Sequence, residues 1–150
     1  MNANVVLSRV REICELTNEQ MIAIFELGGY SVSESELTAW QTAEGEPQFV
    51  LCEDEKLARF LNGLIIKNRG PKDDETPEPE SALTNNMILQ KLRIALSLQA
   101  DDLINMLKLS ERPLSKHELS ALFRRPGNKH YRECTDQLLG DILDGMERHF

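Results

Sequence analysis

The chain contains one unit written twice: residues 4–68 lie over residues 86–150 at a constant offset of 82, without a gap. Identical pairs include Asn4/Asn86, Leu7/Leu89, Arg11/Arg93, Leu16/Leu98, Ser33/Ser115, Glu36/Glu118, Cys52/Cys134, Asp54/Asp136, Leu57/Leu139 and Gly63/Gly145. Conservative exchanges such as Val6/Ile88 and Phe49/Tyr131 fill many gaps between them. Any fold must therefore satisfy the same pattern twice. A unit of about 65 residues buries only some 60% of its unfolded surface, so the two copies are expected to pack against each other.

Within each copy the apolar residues recur at helical spacing. Val6, Leu7, Val10 and Cys14, or Ile88, Leu89, Leu92 and Leu96, form one stripe on a first helix that begins near Asn4 or Asn86. A second helix follows Thr17 or Gln99, and Thr17 with Gln20 forms a candidate capping box. The third opens on S-x-x-E at Ser33–Glu36 and Ser115–Glu118, a pattern in which each side chain satisfies an orphan amide of the other. It ends before Gly45 or Gly127. A short extended piece through Cys52 or Cys134 then leads into a fourth helix, with Asp54 or Asp136 in its first turn, where the helix dipole favours negative charge. No stretch alternates with period two long enough for a sheet.

The expected fold is all-α: two tandem pseudo-symmetric repeats of about four helices each, packed as a helical bundle. Repeat one is set at 1–69 and repeat two at 85–150. Between them 70–84 reads as an acidic, Pro-rich, solvated linker, and Gly70–Pro71 is a helix stop. Gly63 and Gly145 sit inside the fourth helix, where Gly costs about 1 kcal/mol relative to Ala. They predict a close crossing, either between the two fourth helices or between helices four and one. The shared charges Arg11/Arg93 and Asp54/Asp136 are expected to meet as an ion pair tying helix one to helix four. Cys52 and Cys134 each precede a helix and fit a small apolar staple against Leu57 or Leu139.

No run approaches the eighteen apolar residues of a membrane span, and the start MNANVVLSRVREIC lacks the layout of a signal peptide. The three cysteines, Cys14, Cys52 and Cys134, form neither an even set nor a CxxC, so reduced thiols and a cytoplasmic location are expected.

The strings LTNNMILQKLRIALSL (83–98), LSKHELSALFRRPGNKHYREC (114–134) and FLNGLIIKNRG (60–70) resemble the YehS-like family of uncharacterised bacterial proteins, a duplicated domain of unknown function. The resemblance covers nearly the whole chain except the linker. It implies a small all-helical cytoplasmic bacterial protein and supplies no activity, substrate or catalytic residue.

The net charge of −8 is unevenly shared. Repeat one is strongly acidic, whereas repeat two gathers Arg112, Lys116, Arg124, Arg125, Lys129 and Arg132, with His117 and His130, around its third helix. Helices two and three loosely resemble a helix-turn-helix, which would present Ser115, Lys116, His117, Ser120 and Arg124 to a groove. The corresponding positions in repeat one include Ser33, Glu34, Ser35, Thr38 and Thr42, a set that repels phosphate rather than binding it. The polyanion-binding candidates are therefore Arg112, Lys116, His117, Ser120, Arg124, Arg125, Lys129, His130 and Arg132. A metal on His117, His130 and Cys134 is disfavoured, because repeat one has Ser35 and Gln48 in place of the histidines. No nucleophile–base pattern or phosphate-cradling Gly-rich loop is present, so neither catalysis nor a cofactor is expected. These readings describe a non-catalytic binding or adaptor protein with an unidentified protein partner. The alternative is a nucleic-acid-associated protein that works through residues 112–132.

Overall fold

The computed structural model describes residues 1–71 and 77–150. The chain divides into two compact units, Met1–Leu83 and Thr84–Phe150. The first contains α1 (Ala3–Cys14), α2 (Asn18–Leu27), α3 (Glu34–Gln41) and α4 (Asp54–Arg69); the second contains α5 (Asn85–Ala95), α6 (Ala100–Leu107), α7 (Lys116–Leu122) and α8 (Asp136–His149). Among the described residues there is no strand, and the all-α expectation holds. The solvated-linker reading of 70–84 falls partly on residues 72–76, which lie outside the described residues; at its far end, the Leu83 N–H donates to Asp54 Oδ2 at 2.8 Å.

Each unit buries the predicted stripes. Leu7, Val10, Met21, Ile24, Leu57 and Leu61 fill the first core, and Leu89, Leu92, Leu103, Leu139 and Leu143 fill the second. The first also holds an aromatic cluster, with the Phe25 ring 5.7 Å from Trp40 and 5.2 Å from Phe60. The corresponding positions in the second unit are aliphatic: Leu107, Leu122 and Ile142.

Thr17–Gln20 and Ser115–Glu118 close as full capping boxes. Ser33 caps α3 through the Glu36 N–H, but the Glu36 carboxylate accepts the Tyr30 hydroxyl instead of the Ser33 amide, so this box is half made. That bond stabilises the neutral phenol and, helped by burial, pushes the Tyr30 pKa up to about 12.

The shared asparagine has the most consequential geometry in each unit. Asn4 Nδ2 donates to the carbonyls of Trp40 at 3.0 Å and Val50 at 2.9 Å, while its Oδ1 accepts the Cys52 N–H at 2.8 Å. Asn86 repeats this atom for atom: Leu122 O at 3.0 Å, Arg132 O at 2.8 Å, Cys134 N–H at 2.9 Å. Both side chains are buried. An amide is the one neutral side chain that offers two donors and an acceptor from a single plane. It clasps the end of the third helix and the extended piece before the fourth onto the first helix.

Two expectations need correction. Gly63 and Gly145 do mark close crossings, but with the second helix of their own unit. A Cβ on Gly63 would lie 1.9 Å from the Ile24 carbonyl oxygen, and one on Gly145 would lie 2.8 Å from Met106 Cβ. Ile24 and Met106 are equivalent positions. In the first unit Gly28 faces the same crossing, where a Cβ would stand 1.8 Å from the Arg59 carbonyl oxygen. Repetition marked the glycines but carried no information about which helix they face.

The predicted ion pair is replaced by a different use of both arginines. Arg11 Nε donates to Leu16 O at 3.0 Å and Arg93 Nε to Leu98 O at 3.3 Å. Between arginine and leucine, Glu15 and Ser97 adopt left-handed φ of 52° and 53°, and the Leu16 and Leu98 amides return to the Arg11 and Arg93 carbonyls. The retained arginine thus fastens a reversed helix end. On the acidic side, Asp54 accepts the Leu83 amide and Asp136 accepts Asn85 Nδ2 at 2.7 Å.

Cys52 and Cys134 are buried, and burial pushes their thiols up to about 12 and about 11. Unfolded thiols ionise near pH ~8.5 and phenols near ~10. These groups therefore support the fold fully below pH ~8.5 and lose that contribution as pH rises towards the folded values, because the unfolded chain gives up its protons first. The urea midpoint is expected to fall between pH 8.5 and 10.5, with iodoacetamide labelling both thiols only after unfolding. Rapid labelling of native Cys52 or Cys134 at pH 8 would contradict this.

Candidate functional site

Each unit carries a groove beside its shared arginine. In the first, of about 460 Å³, Arg11 stands with Glu12, Glu15 and Gln41, and its Nη1 donates to Gln41 Oε1 at 2.6 Å. In the second, of about 350 Å³, Arg93 stands with Lys116, Ser120, Phe123 and Arg124, over Ala100 and Leu119. Phe123 occupies the position of Gln41, and the Arg93 guanidinium carbon lies 4.5 Å from its ring centroid. The two grooves share the Arg11/Arg93 and Gln41/Phe123 positions but open in different directions, the first along α1 and its end over Ser8, Glu12, Glu15 and Leu16, the second along α7 over Lys116, Leu119, Ser120 and Arg124. Two carboxylates flank the arginine of the first groove, where two further cations flank that of the second.

Helical geometry sorts the sequence candidates. Lys116 and Ser120, one turn apart on α7, share the groove with Arg124, which lies just past the helix end; Lys116 also reaches Asp101 Oδ1 at 3.2 Å in an exposed pair. Exposed pairs of this kind contribute little, so Asp101 does not tie the ammonium down. His117, His130 and Arg132 do not line the groove. The two imidazoles meet edge-to-face at 6.5 Å, and Arg132 pairs with Glu118 at 3.4 Å. Ser115, through its backbone and hydroxyl, holds the Glu118 carboxyl below its usual range, with Arg132 adding to the effect. Arg112, Arg125 and Lys129 are exposed in the segments flanking α7, outside the groove. Cys134 faces inward, its Sγ 3.7 Å from Thr135 O, so it is not presented alongside the two histidines. Among the described residues, no group of three His, Cys, Asp or Glu side chains is placed to hold a metal.

Sequence reasoning singled out Arg93 but gave it an ion-pair role, and it missed Phe123. The only available signal was the exchange of Gln41 for Phe123 at the end of an otherwise polar helix face. The helix-turn-helix resemblance meets a connector of eight residues, 108–115, where the motif uses three or four, and α7 itself has seven residues.

Comparison with known proteins follows the same division. The family model described as "Protein of unknown function (DUF1456)" matches twice, over residues 3–70 and 85–150. The chain belongs to this family. It is also similar to the uncharacterized protein YehS of Escherichia coli (strain K12), 39% identical over 148 residues, which cover 97% of this chain and 94% of that protein. No solved structure matches it. The double match agrees with the duplicated helical unit, and the family description assigns no activity to either copy. No helix among the described residues is long and apolar enough to cross a membrane.

Proposed function

We propose that the chain is a non-catalytic binding protein of the cytoplasm, and that its ligand is nucleic acid, engaged through the second unit. One observation carries this reading: the groove beside Arg93 gathers three cations, Arg93, Lys116 and Arg124, without a carboxylate among its lining residues, whereas the groove beside Arg11 is lined by Glu12 and Glu15. The protein-adaptor reading has no comparable feature behind it. A non-catalytic role is supported by the placement of the strongly shifted groups. Tyr30 owes its shift chiefly to its hydrogen bond with Glu36, Cys52 and Cys134 theirs chiefly to burial, and none of them lines either groove.

Contacts to about two phosphates, from Lys116 and Arg124, predict a salt slope near −1.4, so affinity for a short oligonucleotide should fall roughly sevenfold between 50 and 200 mM KCl. Changing Lys116 and Arg124 to Ala should abolish binding in fluorescence anisotropy. Absent or salt-independent binding contradicts the reading.

A further inference from the structure

Resting on that reading, we propose that the second groove takes a single-stranded nucleic acid, seating one unpaired base against the Phe123–Arg93 stack and its flanking phosphates on Lys116 and Arg124. The groove is small, about 350 Å³, in the range of a site for one small ligand rather than a trough for a duplex. Its contents divide by chemistry. Leu119 and Phe123 supply apolar surface, Ser120 a hydroxyl, and Lys116 and Arg124 the charge.

Arg93 is held in place independently of any ligand. Its Nε is fixed to Leu98 O at 3.3 Å, and its guanidinium carbon lies 4.5 Å from the Phe123 ring centroid. A planar cation already seated on an aromatic ring is a platform for a third flat group, and bases stack on both aromatic rings and guanidinium planes. A duplex cannot use such a platform, because its base faces are already stacked on one another. The seven residues of α7 and the eight of its preceding connector also depart from the helix-in-major-groove arrangement.

The first unit is a built-in negative. Phe123, Lys116 and Arg124 are there Gln41, Glu34 and Thr42, and Gln41 holds the arginine by a hydrogen bond where Phe123 offers a ring. The substitutions Phe123→Gln and Arg124→Thr therefore install side chains that the same scaffold already carries.

The test is fluorescence anisotropy on the full chain at 50 mM KCl with three labelled probes: a 12-nucleotide single strand, the duplex of the same length, and a single strand with abasic sites. The single strand should bind at least tenfold tighter than either of the others, the effect expected from stacking one base. Phe123→Gln should erase that preference by weakening single-strand binding at least tenfold. Equal affinity for single strand and abasic strand, or preference for the duplex, overturns the stacking site and leaves the nucleic-acid reading standing. If no probe binds, both fail. The abasic comparison uses the unmodified protein, so it does not depend on how well any variant folds.

Discussion

Asn86→Ala is expected to unfold the second unit, or to leave it folded only marginally, and Asn4→Ala should do the same to the first. Each substitution strands two carbonyls and one amide that the asparagine serves from inside the core. Leaving a buried polar group unsatisfied costs about 1–3 kcal/mol, so the loss should reach about 3 kcal/mol or more. A unit of this size has roughly 3–10 kcal/mol of stability in all, at about 0.05–0.15 kcal/mol per residue. Asn86→Asp separates geometry from hydrogen-bond polarity. It keeps an acceptor for the Cys134 amide but turns a carboxylate on the carbonyls of Leu122 and Arg132. It should be as damaging as Ala at pH 7 and recover partly on acidification, because the protonated acid can donate. Urea unfolding of the two single variants, followed by far-UV circular dichroism, measures the effect. A loss below about 1 kcal/mol would show that the clasp is incidental.

Gly63→Ala is expected to be the second large effect, and its sign opposes helix propensity. Ala is favoured over Gly inside a helix by about 1 kcal/mol, yet the new methyl would sit 1.9 Å from the Ile24 carbonyl oxygen, a backbone atom that moves only if α2 moves. Overpacking of this kind costs about 1–3 kcal/mol and sometimes more; a net loss of about 2 kcal/mol is expected. Gly145→Ala should cost less. Its nearest neighbours are Met106 Cβ at 2.8 Å and Met106 O at 2.9 Å, so a smaller shift clears the contact. Thermal unfolding of both variants gives the order, and a stabilised Gly63→Ala would contradict the crossing.

These two sites show where sequence reading succeeds and where it stops. Stripes, caps and helix ends were legible because they depend on neighbours three or four residues away, as at Leu7, Val10, Thr17 and Ser115. The clasp was not, because its partners lie some 36 to 48 residues along the chain. Its trace was nonetheless present: Asn4 and Asn86 are polar residues set on an apolar stripe and kept in both copies. The half-made box at Ser33 failed for a related reason. The S-x-x-E pattern cannot show that Tyr30, placed before it, competes for the Glu36 carboxylate. Arg11 and Arg93 looked like ion-pair partners because charge was the only property the sequence displayed. Their actual task, holding the chain reversal at Leu16 and Leu98, depends on a left-handed residue that nothing in Glu15 or Ser97 announces.

The same logic locates the candidate site. Residues shared by the two units, the clasp, the crossing glycines and the arginine-fastened turn, all serve folding. Residues that line the second groove and differ from their counterparts in the first unit, Phe123 against Gln41, Lys116 against Glu34, Arg124 against Thr42, change the local chemistry without touching that scaffold. Divergence on a repeated framework is thus the observation on which the functional reading depends.

The most direct measurement is a backbone amide NMR titration of the full chain with a 12-nucleotide single strand. Shifts should concentrate at Arg93, Ser120, Phe123 and Arg124, while the equivalent amides at Arg11, Thr38, Gln41 and Thr42 stay still. Equal movement at both sets, or movement confined to the first unit, would contradict the claim that function resides where the two copies differ.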